Sequence, residues 1–164
     1  MAYLLDANVF IQAKNLHYGM DFAPGFWDWI VQAHDAGVVL SIEKVGDELK
    51  AGGDDLATWA TGRPATFFEP ADATDSASLT AVATWVAGMG YEPSAVNTFL
   101  QVADFYLVAQ ALAGEHVVVT HEVFSPSLKK IKIPNACIGV GVKHVTTYEM
   151  LRIEKARLVL GPRA

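Results

Sequence analysis

Short apolar runs alternate along the chain with segments of helical periodicity, and this alternation is the feature that most narrows the possible folds. The first apolar run, residues 3–11, contains only two polar residues, as expected for a strand that is covered on both faces. Residues 37–40 and 116–120 are further strand candidates, and residues 137–142 together with Val145 are a weaker one. Strands that alternate with helices predict a parallel sheet in an α/β sandwich.

Helical spacing and end signals place the remaining elements. Ser41 and Thr147 are predicted N-caps of the helices that follow them, and the longest helical segment is predicted to break near Gln101. The predicted helices cover residues 24–34, 42–51, 54–60, 74–89, 93–113 and 148–158.

Composition indicates one domain over residues 1–164. Hydrophobic residues make up 52% and charged residues 18% of the chain, so a sizeable core is expected. Residues 1–128 contain 16 acidic and 4 basic residues, whereas residues 129–164 contain 2 acidic and 8 basic residues and form a basic C-terminal segment.

Cysteine content and hydropathy limit the cellular compartments that we expect for this protein. The single cysteine, Cys137, excludes an intramolecular disulfide and a cysteine-built zinc site. No apolar run approaches the roughly 18–20 residues of a membrane span, and the start of the chain lacks the basic region of a signal peptide. We therefore expect a cytoplasmic protein that does not contact a membrane.

Polar residues follow two of the predicted strands, as Asp6-x-Asn8 and Thr120-x-Glu122. Ligands of open α/β sheets bind beyond the carboxyl ends of the strands, so these residues are candidate site residues. Because a lone carboxylate in an apolar run is costly to bury, Asp6 needs a compensating partner. The alternative for Asp6 is an Asx turn or a helix cap.

Two further acids lie in predicted helices. Asp104 is the only charged residue between Glu92 and Glu115, and it could face a cleft or interact with a helix dipole. Glu48 could join the same site, or pair on a solvated helix face with Lys44, four residues earlier.

Convergence of Asp6, Glu48, Asp104 and Glu122 would have a specific chemical meaning. Clustered carboxylates repel one another unless a hard cation neutralises them, and Mg²⁺ or Mn²⁺ prefers such oxygen ligands. A metal of this kind polarises a phosphodiester and activates water. The pattern therefore favours hydrolytic nuclease chemistry without a covalent intermediate.

The order of these motifs resembles the PIN-domain ribonucleases, in particular the VapC-like toxins of bacterial toxin–antitoxin pairs. Asp6-Ala7-Asn8-Val9 is similar to the opening motif of the family, and Glu48-Leu49 to its second acid. Ala103-Asp104 is similar to the third acid, and Val118-Val119-Thr120-His121-Glu122 to the motif that ends a strand.

The resemblance implies a three-layer α/β/α sandwich with a central, mostly parallel sheet, and a Mg²⁺- or Mn²⁺-dependent endoribonuclease. Asp6, Glu48, Asp104 and Glu122 would be metal ligands or water-positioning groups, and Asn8 and Thr120 would support them. RNA, a cognate antitoxin and a second copy in a homodimer would be its partners.

Two departures from the family pattern concern the last acid and the middle of the chain. Glu122 stands where the family usually has Asp, and residues 52–100 form a longer middle than the smallest members have. With residues 129–135 included, the closer resemblance is to a PIN-like branch whose function is largely unassigned.

Three lysines follow the last acid and could hold a nucleic-acid backbone beside the site: Lys129, Lys130 and Lys132. The alternative is a solvated loop that offsets an acidic body.

Two other functions remain open for the whole chain. One is a catalytically inactive PIN-like module that binds proteins, which the change to Glu at position 122 favours. The other is a phosphatase of the haloacid-dehalogenase type, which needs a second acid where this chain has Asn8.

Overall fold

The computed structural model describes residues 1–162 of the chain, and a parallel sheet lies at its centre. Arg163 and Ala164, the end of the predicted basic segment, lie outside the described residues. The strands are β1 (Tyr3–Leu5), β2 (Val39–Ile42), β3 (Phe68–Glu69), β4 (Val117–Val119) and β5 (His144–Val145). They pair in parallel in the order β3-β2-β1-β4-β5.

Helices flank this sheet. They are α1 (Ala7–Gln12), α2 (Pro24–Asp35), α3 (Glu43–Ala51), α4 (Asp55–Thr61), α5 (Ser76–Gly88), α6 (Pro93–Gln101), α7 (Ala103–Ala113), α8 (Ile133–Val140) and α9 (Thr147–Ile153). A π-helical turn, Ala13–His17, extends α1, and a 3₁₀ turn covers Ala71–Ala73. Leu4, Leu5 and Val118 are fully buried, because helices cover both faces of the sheet. The three-layer α/β/α sandwich is confirmed.

The first apolar run is not one strand, as predicted, but a strand followed by a helix. β1 ends at Leu5, and Asp6 adopts an extended conformation (φ −71°, ψ 154°) at the N-cap position of α1. The residues beyond it are apolar because Val9 and Phe10 lie on the buried face of α1. A short apolar run does not distinguish a strand from a buried helix.

The strand predicted over residues 137–142 is wrong for the same reason, although Val145, which the prediction included, lies in β5. Residues 137–142 lie mostly in α8, which has Pro134 in its first turn and ends at Gly141 (φ +79°). The helix packs against α5 and α7. At Gly139 a Cβ atom would overlap the ring of Trp85, so only glycine allows this close approach.

Ser41 does not cap a helix, contrary to the prediction. It lies within β2, where its hydroxyl donates a 2.6 Å hydrogen bond to the carbonyl of Leu5. Ile42 occupies the N-cap position of α3. The Ser41 hydroxyl thus stabilises the pairing of β2 with β1 in a fully buried position.

The last helix is also displaced from its prediction. Thr146 is the N-cap of α9 instead of Thr147, and it forms a capping box with Glu149. α9 ends at Ile153, five residues earlier than predicted, and Lys155 follows in a left-handed conformation (φ 52°).

The long helical segment breaks as predicted. α6 ends at Gln101 and α7 begins at Ala103, since Val102 between them is extended (φ −104°, ψ 169°). This break places Asp104 in the first turn of a new helix. Within residues 1–162, no helix has the length and apolar character needed to cross a membrane.

Candidate metal centre and phosphodiester site

Asp6 and Thr120 lie side by side at the carboxyl edge of the sheet. Asp6 follows β1 and Thr120 follows β4, and Leu5 pairs with Val119 in the register of these neighbouring strands. The order of the strands reverses between β1 and β4, which makes this edge the topological switch point where α/β folds bind their ligands.

A hydrogen-bond network orients Asp6. The Thr120 hydroxyl donates to Asp6 Oδ2 at 2.9 Å and accepts the backbone N–H of Glu122 at 3.1 Å. The side-chain amide of Asn8 donates to the same hydroxyl at 3.5 Å, and its Oδ1 accepts from the backbone of His121 at 3.2 Å. Asn8 and Thr120 therefore join the two strand ends and hold the Asp6 carboxyl in place.

Asp104 and Glu48 reach the same edge from two helices. Asp104 lies in the first turn of α7, and Glu48 is exposed near the end of α3. Both line one cavity. α3 can approach the sheet closely because Gly46 contacts the ring of Phe68, at a point where a Cβ atom would lie 2.8 Å from the ring.

Burial and repulsion between carboxylates raise the pKa values of Asp6 and Asp104. Burial, followed by the charge of Asp104 and in part that of Glu122, raises the pKa of Asp6 to about 7. Burial, followed by the charges of Glu122 and Glu48, raises the pKa of Asp104 to about 6. The structure thus brings the four predicted acids into one electrostatic neighbourhood.

Glu122 has structural partners of its own. Its Oε2 accepts the backbone N–H of Ile133, the first residue of α8, at 2.8 Å. Its Oε1 lies 3.8 Å from the ammonium group of Lys132. Glu122 therefore joins the carboxyl end of β4 to the start of α8, while its charge is also felt by Asp6 and Asp104.

The predicted lysines lie close to the acids. The charges of Lys130 and Lys132 lower the pKa of Asp104 and so oppose part of the repulsion from the other acids. Lys129 and Lys130 line the cavity that contains Asp104. A positively charged segment therefore lies beside the acidic edge.

The donor set fits a hard divalent cation. It consists of carboxylate oxygens with amide and hydroxyl support, which Mg²⁺ and Mn²⁺ prefer. Among the residues that the structure describes, no group of three or more His, Cys, Asp or Glu side chains could hold a metal ion as it stands. Mg²⁺ is commonly bound by one or two carboxylates together with water and substrate phosphate, so it does not require a complete protein cage.

An aromatic cluster that the sequence pattern did not predict lies beside this edge. The rings of His17, His121 and Tyr148 lie within 5.6–5.8 Å of one another, and Nε2 of His121 lies 3.1 Å from the Thr147 hydroxyl. His17 comes from the π-helical turn after α1, a type of insertion that often lies at functional sites. Residues so far apart in sequence gave no local signal of this contact.

Comparison with known proteins places the chain in a family. The model of the family described as "Domain of unknown function (DUF4411)" matches residues 3–158, and the chain belongs to this family. No curated protein matches the chain. No solved structure matches it either.

Proposed function

We propose that this member of the DUF4411 family is a metal-dependent ribonuclease. The observation that carries the proposal is the convergence of four acids from four separate elements at the switch point of the sheet. Two of them, Asp6 and Asp104, are buried enough to have strongly raised pKa values. Buried acids that repel one another destabilise a fold, and such groups are characteristic of functional sites.

Asp6 and Asp104 are the groups that would hold Mg²⁺ or Mn²⁺, with Glu48 and Glu122 at the margin of the site. When bound, the metal supplies a Lewis acid that polarises the phosphodiester and stabilises charge on the leaving oxygen. Thr120 fixes the orientation of the Asp6 carboxyl through its 2.9 Å hydrogen bond. In this orientation, the Asp6 carboxylate would supply negative charge and a ligand oxygen to the metal, and it would not act as a general base.

The lysines supply the second requirement of the reaction. Lys129 and Lys130 line the cavity beside Asp104 and attract the anionic backbone that the acids alone would repel. The positive lysines and the negative carboxylates together favour a substrate that carries phosphate. This substrate would be cleaved at the point where a bound cation screens the carboxylates.

A biological role as the toxin of a toxin–antitoxin pair, acting in the cytoplasm, is part of this proposal. An apolar cleft of about 220 Å³ lies near Trp85 and Phe124, and Met89, Phe124 and Ile138 at its rim are exposed. Exposed apolar patches of this kind commonly mark protein contacts. An antitoxin or a second copy of the chain would bury this surface.

The test is cleavage of RNA by the full chain with Mg²⁺ or Mn²⁺, with and without chelator. We expect cleavage that requires metal and is lost in Asp6→Asn and Asp104→Asn. Asp35→Asn is the matched control, because Asp35 is exposed at the end of α2, just before β2 begins at the opposite edge of the sheet. Cleavage that persists in chelator, or full activity of Asp6→Asn, would contradict the proposal.

A catalytically inactive protein-binding module is the second candidate, and the bonding of Glu122 favours it. Both oxygens of this carboxylate face structural partners, Ile133 and Lys132. A module of this kind would bind no Mn²⁺ through Asp6 and Asp104. Growth arrest on expression, relieved by Asp104→Asn, would favour the ribonuclease over the module.

A further inference from the structure

Lys44 and Glu48 lie four residues apart on α3, a spacing at which opposite charges commonly pair. In the folded chain they do not pair. The ammonium nitrogen of Lys44 lies 4.3 Å from the centre of the Tyr106 ring, which belongs to α7. Within residues 1–162, no salt bridge joins Lys44 to Glu48. The lysine therefore contacts an aromatic face instead of the carboxylate one turn away.

The Tyr106 ring is held in place beside α3. Its centre lies 5.1 Å from that of the Phe105 ring, with 69° between the two planes, and Phe105 is buried. α7 packs against α3, and both Lys44 and Tyr106 are half-buried. A partly desolvated ammonium group is attracted to the face of an aromatic ring. The contact therefore competes with an exposed ion pair, which gains little in water.

The stability of α3 does not explain the position of Lys44. This lysine is the second residue of the helix, where a positive charge is opposed by the helix dipole. In an isolated helix, a lysine that precedes a glutamate by four residues also gains less than the reverse order. Lys44 is therefore placed by its contact with α7.

The contact matters because Glu48 lies at the acidic edge. Glu48 is exposed and lines the same cavity as Asp104, which precedes Tyr106 by two residues in α7. Its charge also raises the pKa of Asp104. An ammonium group bound to Glu48 would neutralise this carboxylate and place a positive charge where a metal cation would bind.

We infer that Tyr106 is a positioning residue that holds Lys44 away from Glu48, so that the Glu48 carboxylate stays unpaired at the acidic edge. The inference rests on the proposed function only in taking a bound cation to be what this free carboxylate serves.

Titration of Mn²⁺ into the full chain tests the inference with a pair of variants. Tyr106→Leu removes the aromatic face, and Tyr106→Phe retains it. At low ionic strength, we expect Tyr106→Leu to bind Mn²⁺ about threefold to fivefold more weakly, which is the factor that one exposed ion pair can withhold. Tyr106→Phe should bind as the wild type does. Equal Mn²⁺ binding by Tyr106→Leu and the wild type would overturn the inference.

Rescue by a second substitution separates positioning from a general loss of structure. Lys44→Met, added to Tyr106→Leu, removes the competing ammonium group and should restore wild-type affinity for Mn²⁺. Lys50→Met is the matched control, because Lys50 lies two residues beyond Glu48 on α3 and its ammonium group lies 5.5 Å from the Phe68 ring. Failure of Lys44→Met to restore binding, or equal rescue by Lys50→Met, would overturn the inference.

NMR spectra of the full chain in chelator test the contact without metal. Protons over an aromatic face are shifted upfield, so the ε-CH₂ protons of Lys44 should be shifted upfield in the wild type and in Tyr106→Phe. In Tyr106→Leu this shift should disappear, and NOEs from these protons to the γ-CH₂ protons of Glu48 should appear. An unshifted Lys44 in the wild type, or no new NOEs in Tyr106→Leu, would overturn the inference.

The two readouts distinguish failure of this inference from failure of the proposed function. If the wild type binds Mn²⁺ and Tyr106→Leu binds it equally, the metal centre stands and the positioning role is overturned. If the wild type binds no Mn²⁺ but Lys44 moves from the ring to Glu48 in Tyr106→Leu, the positioning role stands and the proposed function is overturned.

Discussion

The inner pair of acids, Asp6 and Asp104, differs from the outer pair, Glu48 and Glu122, in its effect on the stability of the fold. Asp6 is buried, Asp104 is half-buried, and the two repel each other, so their pKa values are raised to about 7 and about 6. Glu48 is exposed, and Glu122 bonds the start of α8. The burial and repulsion of the inner pair therefore cost the fold stability, whereas Glu122 stabilises the fold through its own contacts.

The comparison predicts that activity depends most strongly on the inner pair. Asp6→Asn and Asp104→Asn should each reduce the rate of metal-dependent RNA cleavage between about 100-fold and 1,000-fold, the usual cost of removing one group that stabilises charge at a reacting centre. Single-turnover cleavage with saturating Mn²⁺ measures this. Asp35→Asn should cleave at the wild-type rate, and an equal loss in that variant would point to a general effect of removing acidic charge.

The inner pair should also lower the stability of the metal-free fold. The pKa of Asp6 is about 7 in the folded protein, against an ordinary value of 3.8, so the folded state retains this proton to a higher pH than the unfolded chain does. The contribution of this group to stability therefore falls as the pH rises from about 4 to about 7, and the full penalty is present above that window.

Asp6→Asn removes this penalty. In chelator at about pH 8, we expect the variant to be more stable than the wild type by about 2 kcal/mol, since the change in the hydrogen bond to Thr120 offsets part of the gain. This stabilising advantage should disappear below about pH 3, where the wild-type carboxyl is protonated in both the folded and the unfolded state. Urea unfolding at the two pH values measures it, and equal stability at both would contradict the burial of a charged Asp6.

Sequence patterns were sufficient to name all four acids as site candidates, but not to predict the structural contacts of Glu122. Asp6 and Asp104 follow a strand end and a helix break, and both features leave a local signal in hydropathy. The bond from Glu122 to Ile133 joins residues 11 apart through a loop with no periodic pattern, so only the folded structure reveals it.

The other differences between the predicted and the observed structure also arise because local sequence patterns do not record how distant segments pack. Residues 137–142 have the pattern of a strand because α8 is apolar on its exposed face, at Ile138, as well as on its buried face, which removes the helical period. The cavity beside Asp104 is lined by residues of α3, α6, the start of α7 and the loop that contains Lys129 and Lys130. Its position depends on how these segments pack, which no local pattern specifies.

Substitutions of Glu122 test whether this outer acid stabilises the fold. If its main role is to cap α8, Glu122→Gln should retain an acceptor for the Ile133 N–H and keep near wild-type stability, whereas Glu122→Ala should lose about 1 kcal/mol. Thermal unfolding in chelator separates the two. If Gln and Ala are equally destabilised, the charge and not the acceptor is what the fold uses, and the pairing with Lys132 becomes the main interaction.

The lysines should have the smallest and least specific effect. Lys129→Ala and Lys130→Ala are each expected to weaken RNA binding about threefold to tenfold and to reduce its salt dependence, since each removes roughly one phosphate contact. Lys143→Ala is the charge-matched control, because Lys143 is exposed just before β5, at the opposite edge of the sheet. Filter binding across a salt series measures the effect, and an unchanged salt slope would place the lysines outside the RNA path.

Titration of Mn²⁺ into the full chain tests the central claim most directly, because it measures the metal centre without reference to any substrate. Calorimetry or water-proton relaxation should detect Mn²⁺ binding by the wild type and by Asp35→Asn. The account predicts that binding weakens at least about tenfold in Asp6→Asn and in Asp104→Asn, as expected when a carboxylate ligand is lost. Equal Mn²⁺ binding by all four proteins, or no binding by the wild type, would contradict it.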